Sequence, residues 1–154
     1  MEKNKKQFEK SRLKGVLFSV IMFFFLGGAY GQIISELSGH YKGNAKIIVD
    51  WCNLDILSFD LNIDKSGNIT GKVGDAIIIK GKVEKNRFGS TKFIIEAELD
   101  GYIIEKEEIK RKTIKIPFDI IDGKIVGGFG TSGSKIGGKE KMILSGTDLV
   151  LVRQ

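Results

Sequence analysis

The sequence predicts an all-β fold: an antiparallel up-and-down meander that closes into a barrel of roughly eight to ten strands, with a β-sandwich as the alternative. Three observations carry this. Leu57, Phe59, Leu61 and Ile63 alternate with Ser58, Asp60 and Asn62, the period of a strand with one dry face and one wet face. Gly74-Asp75, Asp100-Gly101 and Asp122-Gly123 stand between apolar alternations, and glycine supplies the positive φ that two-residue hairpins need. Sequential hairpins leave exposed sheet edges unless the sheet closes on itself.

The chain has 154 residues, enough for one domain with a real core. Its first 31 residues form a separate unit. Lys3, Lys5, Lys6, Lys10, Arg12 and Lys14 precede an uncharged, mostly apolar run over Gly15 to Gly28. Ala29 and Gly31 then place small residues at −3 and −1 of a cut before Gln32. This is the three-part plan of a signal peptide. The alternative is a retained anchor, with residues 15–28 as the only contact with a membrane. That run is shorter than the roughly 20 residues that span a bilayer. The expectation is export, a signal peptide over 1–31, and a single barrel domain over 32–154.

Export changes the charge argument. The whole chain is +6, but residues 32–154 keep 19 basic and 17 acidic residues, a net +2. A nucleic-acid partner needs a basic stripe on the folded domain, so none is expected. The run Lys110-Arg111-Lys112 lies beside Glu105, Glu107 and Glu108 and reads as a solvated face. Cys52 is the only cysteine, which excludes an intrachain disulfide and suits a bacterial periplasm or a secreted bacterial protein.

The elements follow in order. Ser38 to Cys52 reads as a long first strand, with Tyr41, Ala45, Ile47, Val49 and Trp51 on one face. His40 falls on the other, with Lys42, Asn44 and Lys46. Strands are expected next over 57–63, over 69–73 and over 76–83. In the last of these, Ile79 and Gly81 point inward. Thr91 to Leu99 alternates again. Asp100-Gly101 is then expected to turn the chain into a returning strand over 102–105. Residues 105–112 read equally as a helical turn or as a charged, bent edge strand. Thr113 to Ile121 is a strand that Pro117 interrupts, because proline gives the ladder no N–H. A strand over 124–130, a Gly-rich loop, and two final strands over 139–145 and 148–153 complete the chain.

This plan resembles the calycin superfamily, the lipocalin- and avidin-type barrels. Lipocalins carry Gly-x-Trp on the first strand, with an arginine near the last strand packed over the Trp. Here Gly39-His40-Tyr41, with Tyr for Trp, and Arg153 stand at those places. The resemblance implies a barrel and a ligand pocket, and names no ligand.

Motifs for catalysis are not legible. Gly128-x-Gly130-x-x-Gly133 matches a dinucleotide fingerprint, but no helical pattern follows and no βαβ unit surrounds it. Glu140 stands where a phosphate loop needs Ser or Thr. Ser132-x-x-Lys135 lacks the partner motifs of a β-lactamase. A Cys52–His40 dyad would need both residues on one face. No cofactor, metal site or enzymatic activity is expected. Two candidate ligand sites remain. One is a mouth loop offering Thr131, Ser132, Ser134 and Lys135. The other is the interior, where Gly43, Gly71, Gly81 and Gly127 either make room or let the strands bend, with Tyr41, Trp51, Phe59, Phe118 and Phe129 as walls. The expected function is an exported, non-enzymatic barrel that binds a small or apolar ligand. The alternative is a cell-envelope structural or interaction protein with a filled core.

Overall fold

A computed structural model describes residues 32–104, 109–135 and 141–154. The segment expected to direct export, residues 1–31, lies outside them. Residues 32–36 are helical. The strands are β1 (Gly39–Ile47), β2 (Ile56–Ile63), β3 (Asn68–Val73), β4 (Ala76–Lys85), β5 (Phe93–Asp100), β6 (Ile109–Arg111), β7 (Thr113–Ile121), β8 (Lys124–Lys135) and β9 (Lys141–Arg153). Every pairing is antiparallel. The ladder runs β8-β7-β5-β4-β3-β2-β1-β9, and β8 pairs with β9 to close it. Eight strands therefore form a closed barrel, which sets the sandwich aside. The short β6 extends one edge of β8.

Alternation builds the core. Leu57, Phe59, Leu61 and Ile63 of β2 are buried, as are Ile114, Ile116 and Phe118 of β7. Phe59 meets Phe129 edge to face at 5.6 Å, and Phe93 stacks on Phe118 at 5.5 Å. Asp122 and Gly123 both take positive φ, 51° and 74°, as a type I′ hairpin requires. Pro117 sits in a gap of the β7–β8 ladder, which pairs Lys115 with Gly130 and then Phe118 with Gly127.

Residues 32–38 close one end of the barrel, where Ile34 and Leu37 are buried. At the far end lie the β1–β2 loop, the Gly74-Asp75 turn, residues 101–104, β6, and the adjoining ends of β8 and β9.

Several expectations are corrected. The first strand stops at Ile47, so Trp51 leaves the alternation and is 37% exposed. In β4 the register shifts between Ile78 and Lys80. This bulge reverses the phase of the strand, as one extra residue must. Ala76 and Ile78 point inward, Gly81 and Val83 resume, and Ile79 is 63% exposed. Asp100-Gly101 starts no returning strand. The chain instead folds Ile103 over the far end, where it is 1% exposed and its carbonyl accepts from Asp75 N at 3.2 Å. Beside β4, the partner of β5 is β7. Within 105–112, residues 109–111 are strand, and 105–108 lie outside the described residues. The expected Gly-rich loop is strand as far as Lys135. The last two strands are one, because a bulge at Thr147-Asp148, with Asp148 at φ 54°, bends the strand without ending it.

Candidate functional site

Among the described residues, the buried polar side chains Arg111 and Thr131 both lie at the far end. β6 delivers Arg111 into the interior, fully buried, while Lys110 stays outside and ion-pairs with Asp100 at 3.0 Å. The guanidinium lies 5.4 Å from the centroid of the Trp51 ring, and Nη1 donates to Thr131 O at 3.4 Å. Thr131 Oγ1 donates to the carbonyl of Thr113, and Trp51 Nε1 donates to Ile143 O at 3.2 Å. A cation is thus held under an indole face, a favourable electrostatic pairing. Sequence reasoning placed Arg111 on a solvated face. Alternation through Lys110-Arg111-Lys112 was the signal that could have found it, since only the middle residue then points inward.

The candidate site residues divide into three groups. Tyr41, Phe59, Phe118 and Phe129 are buried in the core. Trp51 and Thr131 meet Arg111 at the far end. Ser132 is exposed on the outside of β8. Ser134 and Lys135 belong to the backbone ladder, Ser134 paired with Lys110 and Lys141 and Lys135 with Ile109. Thr131, Ser132 and Phe129 come together along an open furrow of about 640 Å³ outside β7 and β8, shared with Ile94, Pro117 and Ile143. Its floor includes Gly128 and Gly130.

The inward glycines leave little space. A Cβ at Gly43 would overlap Val150 O, one at Gly71 would overlap Asp60 O, and one at Gly127 would overlap Pro117 O. At Gly81 it would stand 3.1 Å from the Cβ atoms of both Ala97 and Ile69. At Gly43, Gly71 and Gly127 the carbonyl of a neighbouring strand takes the place of a Cβ, a close backbone approach that only glycine allows.

The opposite end is tied by Arg153. Its guanidinium lies over Tyr41 at 5.5 Å, and Nη2 donates to the carbonyls of Glu36 and Ser38, each at 2.5 Å. On the outer wall, Asp60 bridges His40 Nε2 at 2.5 Å and Lys42 Nζ at 2.9 Å. The hydrogen bond from His40, then that from Lys42, holds the Asp60 carboxyl below its ordinary range. Cys52 is half-buried beyond the other end of β1 from His40. Among the described residues, no three His, Cys, Asp or Glu side chains gather where a metal ion could sit. No helix among them is long and apolar enough to cross a membrane.

No family model matches the chain, and no curated protein or solved structure matches it either.

Proposed function

We propose that the chain is an exported, non-enzymatic barrel of the calycin plan that acts through its outer surface, as a structural or interaction protein of the cell envelope. The observation that supports this reading is the place of the inward glycines. At Gly43, Gly71 and Gly127 the carbonyl of a neighbouring strand stands where a Cβ would be, and at Gly81 the Cβ atoms of Ala97 and Ile69 stand 3.1 Å from that place. The Arg153–Tyr41 contact supports the calycin plan, because an arginine over the aromatic residue of the first strand is what the resemblance implies. The far rim offers a partner the exposed side chains of Ile48, Trp51, Leu54, Tyr102 and Ile143. Exposed apolar groups held on a rigid frame are a common basis of protein contacts.

The test titrates the protein with a hydrophobic fluorescent probe and reads the probe's own emission, because Trp51 stands at the exposed rim. No saturable change in that emission is expected. Gly81→Leu should overpack the core at a cost of about 1–3 kcal/mol. Saturable binding by the parent protein, lost in a stably folded Gly81→Leu variant, would overturn the filled-core reading.

A second reading keeps a small apolar ligand but seats it in the outer furrow. The furrow favours this by its apolar walls, Ile94, Pro117 and Ile143. Gly130→Leu, placed where a Cβ meets nothing within 4 Å, would then block the probe, with a denaturation curve of the variant checking that the barrel stays folded.

A further inference from the structure

We propose that Gln32 is a modification site: once residues 1–31 are removed, the new terminal glutamine closes on itself to pyroglutamate. The proposal rests on the export reading above and adds a covalent step to it. Two observations meet at this residue. Ala29 and Gly31 direct the cut to the bond before Gln32, which makes glutamine the new terminus. In the structure Gln32 is exposed and already helical, so a cut there leaves no tail ahead of the folded chain.

The chemistry needs no partner. A terminal glutamine carries an α-amine and a side-chain carboxamide at the spacing of a five-membered ring. Terminal amines titrate near about 8, so a fraction is neutral and nucleophilic at neutral pH. The amine nitrogen attacks Cδ, and an Nα–Cδ bond forms. The Cδ–Nε2 bond then breaks, and ammonia departs with the proton that the amine gives up. Nothing is oxidised or reduced. The positive charge of the terminus is lost.

The fold permits the ring without disturbance. Exposure leaves the Gln32 side chain free to turn back on its own amine. The atoms that hold this segment are others. Ser35 Oγ donates to Gln32 O at 3.1 Å, and that carbonyl survives cyclisation. Ile34 and Leu37 fill the barrel end, and Arg153 binds the carbonyls of Glu36 and Ser38. The reaction therefore removes a charge and a reactive amine while the plug stays seated.

The experiment takes the full chain, expressed with export in a bacterial host and quenched in acid at harvest. Intact mass and N-terminal sequencing are read together. The expected product is residues 32–154 less one ammonia, blocked to sequencing and opened by a peptidase that removes pyroglutamate. Gln32→Ser should give the full mass and a readable terminus. A parent chain that starts at Gln32 with full mass and reads openly overturns the modification and leaves export standing. A chain that starts elsewhere, or keeps residues 1–31, overturns both.

Discussion

Arg153, near the C-terminal end of the chain, covers the ring of Tyr41 on the first strand and in the same reach ties down the carbonyls of Glu36 and Ser38. One side chain thus joins the closing strands β1 and β9 to the segment that plugs the barrel. Arg153→Ala removes a cation–π contact and two charge-assisted hydrogen bonds. Its expected cost is about 2 kcal/mol. Arg153→Lys should recover only part of this, because an ammonium cannot present a flat fork over a ring. Chemical denaturation measures the loss, and hydrogen exchange should rise first over residues 34–38.

Leu61 and Ile79 test the phase of the strands. Leu61 is 0% exposed, so Leu61→Ala should cost about 2–5 kcal/mol. Ile79 lies outside at the β4 bulge, so Ile79→Ala should stay within about ±0.5 kcal/mol, like Ser58→Ala and Lys80→Ala. Denaturation of the four variants decides this. A large loss for Ile79→Ala would place the bulge elsewhere.

These two residues also mark what sequence could and could not give. Period 2 located most of the strands and, for β2, β5 and for β7 as far as Phe118, the inward face, because their alternation runs unbroken there; Ile120, in the same phase, is 39% exposed at the end of β7. A bulge is a backbone event with no composition of its own, so Ile79 read as core. Asp100-Gly101 carries the chemistry of a hairpin, yet the burial of Ile103 against the Gly74 turn overrides that local preference. Arg111 was hidden by its neighbours, since a run of three basic residues reads as solvated unless strand phase is applied to it. Trp51 was misplaced because the length of a strand is set by its partners: β1 finds none in register after Ile47.

Trp51 and Arg111 should respond to each other. Arg111→Ala removes the group under the indole and opens a space beneath it. Trp51 emission should shift to the red as water reaches the ring, and stability should fall by about 2–4 kcal/mol. Unchanged emission would mean that the pair does not form in solution.

Acid should weaken the outer wall through three carboxylates. Asp60 is held low by His40 and then Lys42, Asp64 by the Asn68 side chain and neighbouring backbone N–H groups, and Asp100 by Lys110. A carboxyl depressed by folding binds fewer protons folded than unfolded. Its contribution is therefore present above its unfolded pKa, about 4, and is lost as pH falls through the lower folded value. The denaturation midpoint should drop on acidification across that window. Asp64→Asn, which cannot ionise, should flatten the drop; an unchanged slope would remove Asp64 from the account.

Gly127 and Gly130 give the sharpest test, since they lie three residues apart in one strand and should respond with opposite sign. A Cβ at Gly127 overlaps the Pro117 carbonyl where β7 and β8 close on each other, so Gly127→Ala must push the strands apart. The loss should be about 1–3 kcal/mol. At Gly130 the Cβ meets open space and the backbone is not left-handed, so neither packing nor conformation requires glycine there. Gly130→Ala should stabilise by about 0.4–1 kcal/mol, by reducing the freedom of the unfolded chain. Two denaturation curves settle the signs. A loss at Gly130 would mean that the furrow floor is packed more tightly than the described contacts allow. A gain there would show that folding alone does not account for this glycine. The bare furrow floor would then be the place to look for a close-fitting ligand or partner backbone.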